Sequence, residues 1–315
     1  MTQPKVELKH LDNLWFQVTG SLCNIACAHC FNSSGPNVRT FGFLSLERVR
    51  SELETAVRLG VREVFFTGGE PFLHPQLLEM LSLSLARAPT TVLTNGTLIT
   101  DRVADRLAEI ERGGRYSLEV RVSIDGYTEE TNDAIRGPGA FRQAMAAVAR
   151  LHRRGLLPLV TAVRTWTDEE ELATLAGFAR ALREAGYSRP RLKILPALPL
   201  GRELARSAAR RGPGDDVLLT DEMLVGFDQD LLMCSNSRMV TDRGVWVCPL
   251  LIEMPDARLG ESLDRVATRY ELRHHACMTC YRFGTICGNV SALIEGPANT
   301  IPSPSPSPSP DRTAR

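Results

Sequence analysis

Residues 14–30 read Leu14-Trp-Phe-Gln-Val-Thr-Gly-Ser-Leu-Cys23-Asn-Ile-Ala-Cys27-Ala-His-Cys30. A short apolar run is followed at once by three cysteines in the spacing C-x3-C-x2-C. Three thiolates this close together can bind three irons of a cubane iron–sulfur cluster and leave the fourth iron without a protein ligand. An open coordination position is where a metal site binds something else, as in catalytic zinc sites. This stretch therefore predicts a reactive cluster at the end of a strand.

A zinc site or a pair of redox-active thiols is the alternative for these cysteines. Zinc knuckles use a C-x2-C pair with a second pair a dozen or more residues further on. No such second pair follows within about fifty residues of Cys30. The spacing therefore favours a cluster held by Cys23, Cys27 and Cys30, which we call the first cysteine set.

Length and composition limit the classes of protein to which the chain can belong. At 315 residues it can form one large domain with a small addition. Lys+Arg and Asp+Glu balance at 37 each, so the charge does not favour nucleic acid or an anionic membrane as a partner. The sequence contains no membrane span and no signal-peptide segment. We expect a cytoplasmic protein, in which eight cysteines indicate metal ligation or catalysis rather than disulfides.

Short apolar runs alternate with helical patterns from residue 14 to about residue 200. The predicted strands are Leu14–Gly20, Glu63–Thr67, Thr91–Thr94, Glu119–Ile124, Leu157–Thr165 and Arg191–Leu195. The predicted helices are Leu46–Leu59, Gln76–Ala86, Arg102–Glu111, Phe141–Arg154 and Glu169–Ala185. Repeated strand–helix alternation predicts a parallel sheet with right-handed crossovers, and so an α/β fold with a full or partial (β/α) barrel.

Polar residues follow several of these strands, and the active sites of such barrels lie at the carboxyl ends of the strands. Gly68-Gly69-Glu70-Pro71 follows the second strand. The two glycines allow the backbone to approach a ligand closely, and Glu70 can accept a hydrogen bond from an ammonium group. An ordinary turn is the structural alternative for this sequence.

Three further strand ends carry polar side chains. Asn95 follows the third strand, Ser123 and Asp125 follow the fourth, and Arg164 lies near the end of the fifth. Asn-Gly and Asp-Gly are also common turn sequences, and Arg164 can equally serve as a surface or rim residue. We predict that these side chains contribute to a binding site at the mouth of the barrel.

These motifs, in this order, resemble those of the radical S-adenosylmethionine (SAM) superfamily, over residues 14 to about 200. The resemblance implies a partial (β/α)6 TIM-like barrel and a [4Fe–4S] cluster on the first cysteine set. SAM would bind the open iron and be cleaved reductively to a 5′-deoxyadenosyl radical, with the electron supplied by a reductase, a flavodoxin or a ferredoxin. The SAM contacts that it implies are Gly68, Gly69, Glu70, Asn95, Ser123, Asp125 and Arg164.

Two other residues match positions of the same superfamily. His29 stands where its members usually have an aromatic residue that packs near adenine, and we interpret it as a packing residue. Arg136-Gly137 resembles a recurrent Arg-Gly segment, which we interpret as organising a loop.

A second cysteine set follows the predicted barrel. Its members are Cys234, Cys248, Cys277, Cys280 and Cys287. Cys234 and Cys248 flank a predicted hairpin with its turn at Asp242-Arg-Gly244. The set resembles a reduced form of the SPASM or "twitch" extension, which implies one auxiliary [4Fe–4S] cluster. Cys234, Cys248, Cys277 and Cys280 are the preferred ligands, Cys287 can replace one of them, and a structural zinc site is the alternative.

The predicted organisation has three parts. Residues 1–205 form the barrel, residues 206–291 form a small cysteine-rich auxiliary-cluster module, and residues 292–315 form a disordered Pro/Ser tail. Because the first predicted strand begins at Leu14, we expect no separate leader-binding domain ahead of it.

The resemblance leaves the substrate open. The first hypothesis is an oxidoreductase that modifies a peptide or protein. The second is an enzyme of small-molecule or cofactor biosynthesis, acting on a tetrapyrrole, a lipid or another metabolite, and segment 196–202 resembles that branch. A distant alternative is a non-catalytic electron-transfer protein with two clusters, which would not need the Gly68–Pro71 loop. No side chain identifies itself as a catalytic acid or base.

Overall fold

The computed structural model describes residues 3–208, 217–266 and 268–284, and the backbone of residues 292–293. Cys287 and the Pro/Ser tail from residue 294 onward lie outside the described residues. The strands are β1 (Lys5–Glu7), β2 (Asn13–Gln17), β3 (Glu63–Thr67), β4 (Thr90–Thr94), β5 (Leu118–Ser123), β6 (Leu159–Val163), β7 (Arg191–Leu195), β8 (Ser237–Thr241), β9 (Gly244–Trp246), β10 (Arg258–Gly260), β11 (Arg269–Glu271) and β12 (Ala292–Leu293). The helices are α1 (Leu46–Arg58), α2 (Leu77–Leu85), α3 (Asp101–Gly113), α4 (Glu129–Arg136), α5 (Ala140–Arg153), α6 (Glu171–Glu184), α7 (Gly201–Arg206) and α8 (Cys277–Phe283).

One sheet dominates the structure, in the order β10-β9-β8-β2-β3-β4-β5-β6-β7-β12. Strands β2 to β7 are parallel and lie side by side in chain order. Each predicted strand is present, with its ends within a few residues of the prediction. The α/β fold with a partial (β/α)6 barrel is therefore confirmed.

Alternate residues of the parallel strands face two different apolar clusters. Leu14, Phe16 and Phe66 belong to the cluster on the side of the helices. Trp15 and Phe65 face the concave side, where their rings stack with centroids 4.0 Å apart. Both faces are covered, which explains why the strands read as nearly continuous apolar runs.

The C-terminal residues pack against this concave face and share the barrel's sheet. Strand β8 pairs in parallel with β2 and forms the predicted hairpin with β9. Met239 and Trp246 of this hairpin join the concave apolar cluster, together with the four described cysteines of the second set. The boundary near residue 205 remains a prediction.

Helix α4 was not predicted from the sequence. Thr128 begins it with a capping box, in which its hydroxyl accepts from the Thr131 N–H and the Thr131 side chain accepts from the Thr128 N–H. Its buried residues are polar, Asn132 and Arg136, so it lacks the apolar periodicity on which the prediction relied. None of the described helices combines the length and the apolar character that crossing a bilayer requires.

Candidate functional site

The first cysteine set lies in a loop that leaves the carboxyl end of β2, and we call residues 21–35 the cysteine loop. Its two ends are joined by hydrogen bonds from the Cys23 N–H to the Gly35 carbonyl (3.2 Å) and from the Gly35 N–H to the Ser21 carbonyl (3.2 Å). The Ala28 N–H donates to the carbonyl of Ile135 in α4 (2.8 Å). The loop is therefore fixed both to itself and to the barrel wall.

Gly68 and Gly69 leave no room for a side chain, because the residues just after β2 and the cysteine loop lie directly against them. A Cβ atom on Gly69 would lie 2.1 Å from the Leu22 carbonyl oxygen, and one on Gly68 would lie 2.2 Å from the Thr19 hydroxyl. The N–H of Glu70 donates to the same Leu22 carbonyl at 3.0 Å. Both glycines thus allow other parts of the protein to approach closely, and their contact with SAM remains a prediction.

Glu70 is completely buried, and its carboxylate joins β4 to the loop after β3. It accepts hydrogen bonds from the Thr94 hydroxyl (2.7 Å), the Asn95 N–H (2.8 Å) and the Phe72 N–H (3.1 Å). Burial raises the pKa of Glu70 to about 7, although these hydrogen bonds act in the opposite direction. Its contact with SAM remains a prediction.

Asn95 faces the first cysteine set directly. Its Nδ2 lies 3.7 Å from the Cys23 Sγ and 2.9 Å from the Asn24 Oδ1. Its Oδ1 accepts from the N–H and the hydroxyl of Thr97, which fixes the orientation of the amide. The structure thus places an N–H donor on a predicted ligand sulfur.

Asp125 lies at the centre of a buried ion-pair network beside the cysteine loop. Its Oδ2 lies 2.6 Å from the Arg136 Nε and 2.5 Å from the His29 Nε2, and its Oδ1 accepts from the Val163 N–H at 2.7 Å. Burial by itself would raise the pKa of Asp125, but the charge of Arg136 and the contact with His29 outweigh it and hold that pKa well below its usual range.

His29 and Arg136 are therefore site residues that sequence reasoning undervalued. The Arg136 Nη1 lies 3.9 Å from the Cys27 Sγ, so the guanidinium bridges a carboxylate and a predicted cluster ligand. The signal was present in the sequence as Arg136-Gly137. Its significance depends on α4, which carries Arg136 back to the loop.

The other two predicted rim residues have different surroundings. The Ser123 hydroxyl, at the carboxyl end of β5, lies 3.4 Å from the hydroxyl of Thr161 in the middle of β6. Arg164 pairs with Asp168 and, at 2.9 Å, with Glu171 at the start of α6. The described contacts of Arg164 are thus with acidic residues next to it in the sequence, and its pairing with SAM remains a prediction.

Two buried polar side chains next to the cysteine loop have no hydrogen-bond partner within the described structure. They are Gln17, which is 1% exposed, and Thr19, which is fully buried. Gln17 alternates with Leu14, Phe16 and Val18 of the helix side, so it lies on the concave face. Unpaired buried amides are costly, and their presence here fits a polar group bound at the mouth of the barrel.

The thiols themselves fit a metal centre. Burial, together with the nearby Glu70, Cys27 and Cys30, raises the pKa of Cys23 to about 12. Burial also raises the pKa of Cys27, against the opposing charges of Arg136 and Arg202. Since thiolates are the ligand form, a positively charged metal centre is what would stabilise three of them together.

The four described cysteines of the second set line one small cavity. The other walls are mostly apolar, formed by Leu232, Met233, Leu250, Leu251, Tyr270, Leu272 and Ala276. The Tyr270 hydroxyl is buried there without a partner among the described residues. No three described His, Cys, Asp or Glu side chains form a group that could hold a single metal ion. Four thiols that share one mostly apolar cavity fit an iron–sulfur group.

Comparison with known proteins identifies a family and several relatives. Residues 18–176 match the model of the radical SAM superfamily. Mycofactocin maturase MftC of Mycobacterium tuberculosis is 36% identical over 159 residues, which cover 49% of this chain and 39% of the maturase. Pre-heme d1 synthase of Dinoroseobacter shibae is 40% identical over 157 residues, covering 49% of this chain and 37% of the synthase. The matches thus span well under half the length of these relatives.

Solved structures share the fold at low sequence identity. Streptococcus suis SuiB bound to S-adenosylmethionine has a TM-score of 0.58 and 16% identity, covering 78% of this chain and 62% of SuiB. The anSMEcpe structure with bound AdoMet has a TM-score of 0.57 and 19% identity, covering 80% of this chain and 74% of that one. The family match extends over half of the sequence, and the chain therefore belongs to the radical SAM superfamily of enzymes, which use a [4Fe–4S] cluster and SAM.

Proposed function

We propose that this enzyme binds its catalytic cluster through Cys23, Cys27 and Cys30 and cleaves SAM at the mouth of the barrel. The observation that carries the proposal is the cysteine loop itself, which follows the carboxyl end of β2, lies against Gly69 at Leu22 and has its Cys23 thiol beside Asn95. When bound there, the cluster supplies the electron that converts SAM to methionine and a 5′-deoxyadenosyl radical.

The task of the protein is positioning and exclusion of water. Glu70 and Asp125 anchor the loops around the cysteines. Gln17, Thr19 and Ser123 offer polar groups to SAM or to the substrate at the same mouth. A hydrogen atom is then removed from a substrate that enters the barrel from its concave side.

Anaerobic incubation with SAM and dithionite tests this proposal. We expect 5′-deoxyadenosine from the reconstituted enzyme and none from Cys27→Ala. Arg39→Gln is a matched control, since Arg39 lies on the exposed surface just beyond the cysteine loop. Absence of 5′-deoxyadenosine from the wild-type enzyme, with and without cell extract, would refute the assignment.

We propose further that the substrate is a peptide. Support comes from the relatives named mycofactocin maturase MftC and, at 28% identity over 166 residues, antilisterial bacteriocin subtilosin biosynthesis protein AlbA of Bacillus subtilis. A solved structure of SuiB bound to its precursor peptide SuiA covers 90% of this chain, with a TM-score of 0.57. The second cysteine set would hold one auxiliary cluster that accepts the substrate electron.

A tetrapyrrole substrate is the second candidate. It is favoured by the 40% identity to pre-heme d1 synthase and by a relative named AdoMet-dependent heme synthase in Methanosarcina barkeri. The genomic neighbourhood discriminates between the candidates. A short precursor-peptide gene beside this one supports the peptide, and genes of tetrapyrrole synthesis support the second candidate. Incubation of the enzyme with each substrate, followed by mass spectrometry, tests the choice directly.

A further inference from the structure

One side chain from outside the cysteine loop holds several of its carbonyl groups. The Arg202 Nε donates to the Cys27 carbonyl (2.8 Å), its Nη1 to the Ser33 carbonyl (3.1 Å) and its Nη2 to the Ser34 carbonyl (2.6 Å). The backbone N–H of Arg202 also donates to the Cys30 carbonyl (3.0 Å). Four hydrogen bonds thus connect this residue to a loop about 170 positions earlier in the chain.

The residue type suits this arrangement. A guanidinium presents five N–H donors in a rigid planar fork, so it can donate to several fixed carbonyls at once. A lysine would bring one ammonium nitrogen on a flexible chain and could not reproduce the three directions. Arg202 also brings a positive charge close to Cys27, whose carbonyl accepts a hydrogen bond from its Nε.

The two residues that precede Arg202 fix its position. Gly201 has a φ of +52°, and a Cβ atom there would lie 2.4 Å from the Phe31 carbonyl oxygen, so the first turn of α7 rests on the cysteine loop. Leu200, the residue before this turn, packs into the concave apolar cluster that contains the described cysteines of the second set. The backbone from which the Arg202 side chain extends to the loop is therefore held by packing.

We propose that Arg202 is a positioning residue, which closes the cysteine loop around the site of the first cluster. The inference rests on the proposed function, in which the first cysteine set holds that cluster. Cys27 and Cys30 are two of the three proposed ligands. Hydrogen bonds to their backbone carbonyls therefore fix the backbone positions from which their thiol side chains extend. The closed loop is a property of the protein alone and is measurable before any iron is added.

The test is the alkylation of individual cysteines in the apoprotein, followed by mass spectrometry. Iodoacetamide should label Cys23 and Cys27 slowly in the wild type, where both are buried. In Arg202→Gln and in Arg202→Lys we expect labelling roughly tenfold faster. This factor corresponds to a loss of about 1.4 kcal/mol from the free energy that favours the closed loop. Wild-type rates in both variants would overturn the proposal, and so would full rescue by lysine, since charge alone would then suffice.

Arg39→Gln is the matched control. The Arg39 Nη1 donates to the Pro36 and Val38 carbonyls, both at 2.9 Å, just beyond the cysteine loop. We expect its labelling rates to equal those of the wild type. Cys248 serves as an internal reference for folding, because it is buried in the other cavity. Faster labelling of Cys23 and Cys27 supports the proposal only where Cys248 keeps its wild-type rate. If labelling of Cys248 in both Arg202 variants accelerates as much as labelling of Cys23 and Cys27, the effect is global and the proposal fails.

Iron release to a chelator separates this inference from the proposed function. If Cys27→Ala binds as much iron as the wild type, the proposed function fails. If Cys27→Ala loses about four irons while both Arg202 variants release iron and react with iodoacetamide at wild-type rates, only the role of Arg202 fails. We expect both Arg202 variants to release the iron of the first site several-fold faster than Arg39→Gln does.

Discussion

The two cysteine sets of this chain lie in different environments. The first is surrounded by polar and charged groups, with Asn95 and Arg136 directed at its sulfurs. The second shares a cavity with mostly apolar side chains. Burial raises the pKa of Cys277 to about 11 and that of Cys248 well above its usual value, and neighbouring thiols raise the pKa of Cys248 further.

This difference indicates a division of labour. Hydrogen bonds to sulfur, charge and exposure together set the potential of an iron–sulfur cluster. The first set has the donors and the buried charges that a site binding a polar cofactor requires. The second lines a small, mostly apolar cavity, which suits a cluster with protein ligands only. Substitutions in and around the two cysteine sets test this contrast.

Removing a cysteine from either set should separate the two functions. Cys280→Ala should reduce the iron content of the reconstituted protein from about eight to about four per chain, spare 5′-deoxyadenosine formation and block substrate turnover. Cys27→Ala should also lose about four irons but abolish 5′-deoxyadenosine. Iron analysis and chromatography of the products measure both. About four irons with one zinc in the wild type would contradict an auxiliary cluster.

Asp125→Asn should show how strongly the first site depends on buried charge. The substitution leaves Arg136 buried without its carboxylate, and such losses lower the free energy of unfolding by about 3–5 kcal/mol. Denaturant unfolding of the apoprotein measures it. Asp168→Asn, which breaks an exposed pair with Arg164, should cost about 0–1 kcal/mol. Equal effects of the two substitutions would contradict the network at the first site.

The same carboxylate predicts a pH dependence. Because the pKa of Asp125 is depressed in the folded protein, its contribution is complete above the unfolded pKa and is lost as the pH falls through the folded pKa. In Asp125→Asn the free energy of unfolding should therefore fall less steeply as the pH is lowered than it does in the wild type. Unfolding curves of the apoprotein at successive acidic pH values measure the slope.

Glu70 should act in the opposite direction. Its pKa is raised to about 7, so the folded state binds more protons than the unfolded state between about pH 4.5 and 7. Stability then falls as the pH rises through this window, by on the order of 3 kcal/mol. In Glu70→Gln the apoprotein should lose this slope. In Glu129→Gln, which alters an exposed carboxylate, the slope should persist.

Asn95→Leu should alter the first site more gently. It removes the N–H donor to the Cys23 sulfur, and a hydrogen bond worth about 1 kcal/mol corresponds to a potential lower by roughly 40 mV for one electron. Spectroscopic redox titration of the first cluster measures the shift. An unchanged potential would mean that this donor does not act on the cluster.

The smallest effect is expected at Gln17. If its buried amide is reserved for a ligand, Gln17→Met should raise the melting temperature of the apoprotein by a few degrees, since an unpaired polar group is removed. Thr241→Val is the control, because the Thr241 hydroxyl accepts from the Trp246 Nε1 at 2.9 Å, and it should lower the melting temperature. A lower melting temperature in Gln17→Met would show that the amide has a partner within the protein.

The features that depend on local spacing could be predicted from the amino-acid sequence. The positions of the first cysteine set, the Gly68–Pro71 loop and the strand–helix alternation all follow from residues close together in the chain. Their physical basis is short-range, since ligand spacing, glycine turns and apolar periodicity need no knowledge of the rest of the molecule. The hairpin between Cys234 and Cys248 was predictable for the same reason.

The distant residues that complete the site could be identified only from the folded chain. Arg136 reaches Cys27 because an unpredicted helix with a polar buried face turns back to the cysteine loop. Arg202 reaches the same loop because β7 returns the chain to the barrel's mouth, and β8 pairs with β2 although more than 200 residues separate them. These contacts depend on packing between distant elements, which no local pattern encodes. The spacing of the cysteines therefore specifies the ligands, and the fold supplies the charges that surround them.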